Sequence, residues 1–527
     1  MHTFLQRRFL VWSVGLVMVY GVASAAAISA QAAMDTAKLD PPLQVAIREH
    51  RSARVIVLGR TQLFAPVGGL DTFQRRFATS DRLALRATVV RTLKANAARE
   101  QTRILRALQR PAAEQRLWIL NAMSLELSAA DLARVSRLRD VMYVYAGGEP
   151  IASRIADTPP ILTLPNVPRP DFTASGKRVA WNVAHLNAPR VWTELGNTGR
   201  GSIIAVLDNG ANYAHQDLRS NVWTNRREVP NNGLDDDRNG WIDDVYGYDF
   251  GSMSAQVRDT SSGRQHGTMT SGIAVGDGSG GIVTGVAPRA QVMLLKITGG
   301  NVDAAGNRPI AAALAYQYAL ENGADILSMS FSLPGLGNLR GYWRMMSDHA
   351  VAAGLFLVGG AGNFRVTQPI PIQHQSPKDV PSVVSVGGID TLRQLVSFSS
   401  MGPAEWSSVA LYGDYPLPKG IIKPDVVAFP GEGYPVLSIT DSGYIDTNVT
   451  RIRGNSFAGP QVAGIAALLF ADQRGMSVWR AREIIERSAR PLGDAGKNNM
   501  FGYGLVDAFA AVTLARNENP SRASRPR

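Results

Sequence analysis

Between residues 180 and 511 short apolar runs alternate with helix-forming stretches, and this pattern leaves few folds open. The runs lie at 202–207, 291–296, 326–329, 354–358 and 383–386. They are apolar on successive residues rather than on every second one, so each strand expects cover on both faces. The stretches between them predict helices over 267–276, 310–322, 341–353, 457–472 and 477–489. Strands alternating with helices make an α/β domain: a doubly wound, mostly parallel sheet with helices on both faces.

The rest of the chain has a different texture. Residues 34–147 read as strand (53–58), helix (81–108), two strands (116–120 and 125–127), helix (from Ser128) and strand (141–145), a small α+β unit of ferredoxin-like order. Ser128 and Asp131 form a capping-box pattern ahead of the second helix. Residues 148–179 hold Pro150, Pro159, Pro160, Pro165, Pro168 and Pro170 and read as an exposed linker open to cleavage. At the start, Arg7-Arg8, an apolar run from Phe9 to Tyr20 and Ala-x-Ala sites ending at Ala25 and Ala32 make residues 1–33 an export signal. Its removal would leave no stable membrane span. A retained anchor is the other use of such a run. Residues 512–527 read as a disordered basic tail.

The 527 residues carry a net charge of +12, but its location argues against nucleic acid. Between Asp35 and Pro150, 19 Lys and Arg face 11 Asp and Glu, without interleaved aromatics. A solvated face, or docking on an acidic protein surface, fits that distribution better. The chain has no cysteine, which excludes disulfides, thiolate metal sites and thiol nucleophiles.

Four polar residues stand where the pattern breaks into small residues. Ser456 lies in Gly454-Asn455-Ser456-Phe457-Ala458-Gly459-Pro460, just ahead of an alanine-rich helix, and reads as a helix N-cap or a nucleophile. Asp208 follows the first buried strand, as a turn aspartate or a functional carboxylate at a strand's carboxyl end. His266 opens the 267–276 helix with small residues behind it, and Asn363 ends Gly359-Gly-Ala-Gly-Asn363, as a turn device or an oxyanion donor.

Taken together, these four boxes, in this order, resemble the subtilisin-like serine proteases over residues 180–511, supported by Val286-Ala287-Pro288, Lys423-Pro424-Asp425 and Gly502 to Asp507. The resemblance implies an exported serine endopeptidase acting on polypeptides. Ser456 would attack, His266 would take its proton, Asp208 would orient the imidazole, and Asn363 with the Ser456 N–H would hold the oxyanion. It also implies that Ser330, Phe331, Ser332, Gly360, Ala361 and Gly362 wall the main specificity pocket. The 34–147 unit would be the inhibitory propeptide, chaperone and inhibitor of its own protease, with a maturation site in the linker. Asn209 and Asn455 depart from the family's usual Thr or Ser, and Ser332 from its usual Gly. Those departures keep a second reading open, an inactive binding protein on the same fold.

Asp235-Asp-Asp-Arg-Asn-Gly-Trp-Ile-Asp243 matches the first part of a calcium loop, with oxygens at alternating positions and then the turn glycine. Asp235, Asp237, Asn239 and Asp243 are the expected Ca2+ ligands; the closing bidentate glutamate is missing, and a solvated acidic turn is the alternative. Gly276 to Gly281 lacks the Lys-Ser/Thr of a phosphate loop and reads as a surface turn.

Overall fold

The structure is a computed structural model and describes residues 34–147, 161–164, 174–259, 266–297, 308–431 and 433–518. The export signal, most of the proline-rich linker and residues 519–527 lie outside the described residues; residues 512–517, expected in a disordered tail, instead close a helix that starts at Ala508, because Ala511, Val512 and Ala515 are buried against the domain.

The N-terminal unit contains helices α1 (Pro41–Arg48), α2 (Gly69–Phe77), α3 (Arg82–Ala107) and α4 (Ala129–Arg137) and strands β1 (Ala53–Gly59), β2 (Gln115–Leu117), β3 (Ala122–Leu127) and β4 (Val141–Ala146). The strands form an antiparallel sheet in the order β2-β3-β1-β4. Asp81 caps α3 by accepting from the Leu83 and Ala84 N–H, and Ser128 caps α4 through Asp131 N–H. Alternation along the strands, broken by a register shift where Gly59 pairs with Val141, divides the side chains between two cores. Val55, Val57, Val141 and Val144 join Leu43, Leu132 and Val135 in a core internal to the unit. Ile56, Leu58, Tyr143 and Tyr145 face the other way, into the core shared with the large domain.

The large domain is built on seven strands: β5 (Ile203–Asp208), β6 (Gly247–Asp249), β7 (Gln291–Lys296), β8 (Ile326–Met329), β9 (Phe356–Gly360), β10 (Val384–Gly388) and β11 (Val426–Ala428). All pair parallel, in the order β11-β10-β9-β8-β5-β7-β6. The three-residue strands β6 and β11 are too short for periodicity and fall outside the sequence expectation. Helices α5 (His266–Val275), α6 (Arg308–Glu321), α7 (Leu339–Ala352), α8 (Ala458–Asp472), α9 (Val478–Ser488) and α10 (Ala508–Asn517) surround the sheet, and α8 is buried along nearly its whole length. The first strand, β5, lies inside the sheet. The chain runs from it to β6 and β7 on one side, then crosses back to β8 on the other. That reversal opens a crevice at the carboxyl ends of β5 and β8, where ligands of open α/β sheets bind.

The N-terminal unit docks on α6, α7 and the loops at the amino ends of β8 and β9. Ile119 N–H donates to Gln317 Oε1 at 3.2 Å, and Ile119 O contacts His349 Nδ1 at 2.6 Å. Arg82, 1% exposed, reaches Asp325 Oδ1 at 2.7 Å and Gly354 O at 3.2 Å. Asp325 is fully buried and also accepts from Ile203 N and Arg474. Burial opposes its charge, but Arg82 and Arg474 outweigh it and hold the carboxyl below its usual range. Among the described residues no helix is long and apolar enough to cross a membrane.

Candidate active site

Asp208 ends β5 beside the crevice. Its Oδ1 accepts from Asn209 N–H at 2.8 Å, and both oxygens face His266 Nδ1, at 2.9 and 2.8 Å. Burial opposes an imidazolium at residue 266, but the charge of Asp208 and its hydrogen bond prevail and raise the His266 pKa. Asn209 Oδ1 accepts from Gly267 N–H at 2.8 Å, fixing the first turn of α5 against the end of β5. A Cβ on Gly267 would lie 1.9 Å from Gly210 O, so the close approach depends on glycine there. Asn209 thus does the anchoring work of a hydroxyl residue.

The loop that carries Ser456 is seated the same way. A Cβ on Gly360 would meet Asn455 O at 1.9 Å and Ser456 N at 2.9 Å, so the bare end of β9 is what lets residues 454–456 lie across it. Asn455, fully buried, gives its N–H to Asn363 Oδ1 at 2.9 Å and its Nδ2 to Gly362 O and Ser399 Oγ at 2.8 and 3.0 Å. With its oxygen tied, the Asn363 amide keeps its Nδ2 for another acceptor. Ser456 lies in the short 3-10 turn Asn455–Phe457 ahead of α8, and no side chain caps that turn or α8. Its Oγ donates to Ser330 O at 3.1 Å, while Ser330 Oγ donates to Ser456 O at 2.8 Å. The His266 ring stacks near Phe457, with centroids 6.1 Å apart, and among the described residues the imidazole and the Ser456 hydroxyl share no hydrogen bond.

A cavity of about 210 Å³ opens beside Ser456, lined by Ser330, Ser332, Gly360, Gly362, Asn363, Phe364, Lys378 and the serine itself. Two of the expected wall residues do not line it: the Phe331 ring packs against Trp343, with centroids 6.2 Å apart, and Ala361 is fully buried with its N–H on Val386 O. Phe364 and Lys378 were not anticipated. Lys378 stands in Ser376-Pro-Lys-Asp-Val-Pro381, which reads locally as a solvated turn.

In the acidic loop the carboxylates of Asp235 and Asp237 converge with that of Glu228, within 4.8 Å of one another. Glu228 lies upstream of the loop pattern, which did not flag it. Asp243 spends its two oxygens on the Asn232 and Gly233 N–H groups, and Asn239 Oδ1 accepts from Trp241 N–H. Burial, then the charges of Asp237, Asp236 and Asp235, raise the Glu228 pKa against the Asp237 N–H that lowers it. Clustered carboxylate oxygens suit a hard divalent cation.

Asp208, His266, Asn363 and Ser456 thus stand near the carboxyl ends of the parallel strands, and comparison with known proteins identifies the family. The model of the Subtilase family matches residues 199–504, and the chain belongs to that family. It is 30% identical to Bacillopeptidase F of Bacillus subtilis over 350 residues, 64% of this chain and 22% of that protein. It is 25% identical to a Calcium-dependent protease of Nostoc over 67% of this chain and 52% of that protein, and 27% identical to Fervidolysin of Fervidobacterium pennivorans over 61% and 42%. The chain therefore spans between about a fifth and a half of the length of these relatives.

Proposed function

We propose that the protein is an exported serine endopeptidase, made as a zymogen and acting on polypeptides through Asp208, His266, Ser456 and Asn363. The observation that carries this reading is the Asp208–His266 pair at 2.8 Å, set at the same strand edge as a serine beside an open cavity. With Nδ1 held by Asp208, the imidazole presents Nε2 as the base. The Ser456 hydroxyl leaves Ser330 O and gives its proton to that nitrogen as Oγ attacks the peptide carbonyl. The free Nδ2 of Asn363 then stabilises the oxyanion, and the imidazolium passes its proton to the leaving amine.

The N-terminal unit acts as propeptide, chaperoning and inhibiting the protease until the linker is cut. Its apolar second face, given over to α6 and α7, supports that role. Glu228, Asp235 and Asp237 hold a structural Ca2+, with Asn239 and Asp243 shaping the loop around it; two relatives are named calcium-dependent proteases.

An active-serine phosphonate tests the catalytic reading. Wild type is expected to be labelled and to trim its own linker, and Ser456→Ala to do neither. No labelling of wild type, or equal trimming by the variant, would leave the inactive binding protein as the better account.

A further inference from the structure

The cavity beside Ser456 holds a charge that its fold does not neutralise. Lys378 is 1% exposed, and its side chain runs over Gly359, where a Cβ would lie 3.1 Å from Lys378 Cδ. Its Nζ donates to Ser332 Oγ at 2.9 Å and lies 5.5 Å from the centre of the Phe331 ring. An ammonium carries three donors, and among the described residues this is the only hydrogen bond it makes. Asp379 is next in the chain, but its carboxylate is taken by Arg340 Nε and Ser376 Oγ, both at 2.8 Å. His374, the other titratable neighbour, is held neutral, its pKa lowered to about 3 by burial and by the surrounding lysines. Besides the serines and glycines Ser330, Ser332, Gly360, Gly362 and Ser456, the walls hold the Asn363 amide and the Phe364 ring, and none of these carries a charge.

We propose that Lys378 makes this pocket selective for an acidic side chain, so that the enzyme cuts polypeptides after glutamate or aspartate. The inference rests on the proposed endopeptidase reading and adds its substrate class. A carboxylate entering the cavity supplies the counter-charge and acceptors that the ammonium lacks. An apolar or amide side chain leaves the ammonium buried and unpaired, and sites that depend on such a partner reject analogues without it strongly. Burial also pulls the Lys378 pKa down to about 7, against the opposing charge of Asp379, so the preference weakens as the pH rises past neutrality.

The test is kcat/KM on quenched peptides that differ only in Glu, Gln or Leu before the scissile bond. The Glu/Gln ratio cancels the ionisation of His266. It is expected to exceed about tenfold at pH 6, as a lost charged partner implies, and to shrink by pH 9. Lys378→Met should bring it to about one and improve Leu. Ser332→Asp, which sets a carboxylate beside Nζ, should bring the ratio to one or below and does not depend on how the Met variant folds. A wild-type ratio near one, with Ser456 labelled and other peptides cut, would overturn the inference and leave the endopeptidase reading standing. So would a ratio unchanged in both variants. Absence of both labelling and cleavage would overturn that reading and this inference with it.

Discussion

Lys378 should lower stability in a pH-dependent way, and Lys378→Met isolates the effect. The free side chain titrates at 10.5, and burial brings it to about 7 in the fold. At ~1.4 kcal/mol per pH unit, that gap amounts to a cost on the order of 4–5 kcal/mol. The folded pKa lies below the unfolded one, so the cost is present in full below pH 7. It falls as the pH rises and vanishes near 10.5. Methionine keeps the stem over Gly359 and gives up the Ser332 hydrogen bond and the Phe331 contact, together ~1–2 kcal/mol. The variant should therefore exceed the parent by about 3 kcal/mol at pH 6, and the two should nearly coincide at pH 9. Urea unfolding of both proteins in a Ser456→Ala background, which removes autolysis, measures the difference. Equal midpoint shifts at the two pH values would show that Nζ is solvated and would refute the reasoning. A residue carried at such a cost beside Ser456 fits a pocket in which stability has been exchanged for function.

Three further outcomes follow from the same geometry. Because Asp208 raises the His266 pKa, kcat/KM should climb with pH through an inflection above 6.5; an inflection at or below that value would mean the carboxylate does not hold the imidazolium. A chelator should lower the melting temperature of the parent but not of Glu228→Gln with Asp237→Ala, and an equal drop in both would move the calcium elsewhere. Arg82→Ala strips a buried partner from Asp325 and should cost ~3–5 kcal/mol of stability in the uncut chain; a loss below about 1 kcal/mol would mean that Arg474 alone satisfies the carboxylate.

The candidate site was legible where its chemistry lay in one stretch of chain. His266 and Asn363 sit at element ends beside small residues, and those neighbours turned out to be needed: Gly267 and Gly360 each stand where any side chain would collide with backbone. The departures from the family were legible as identities but not as consequences. Asn455 looked like a weakness beside the serine, yet it is the tether that holds both Gly362 and Asn363 in place. Only the tertiary hydrogen bonds reveal that. Strands β6 and β11 and the division of the pocket wall at Phe331 depend on three-residue segments and on side-chain direction, which a linear pattern does not carry.

What stayed hidden shares one physical property: its partners are distant in sequence. Lys378 in its turn and Glu228 ahead of its loop look solvated because their local neighbours are polar. One lies in the cavity wall and the other in a carboxylate cluster because the chain crosses over elsewhere. Strand β1 shows the reverse case, in which a local pattern held more than was read from it. Arg54-Val-Ile-Val-Leu58 is apolar on both faces, although α1 and α4 supply cover for only one. An inner strand of that kind in so small a unit demands cover on its second face, and α6 with α7 supplies it. If the linker is cut as proposed, Ile56, Leu58, Tyr145 and Arg82 must all meet water before the N-terminal unit can leave, so departure is opposed by apolar burial and by a buried ion pair together.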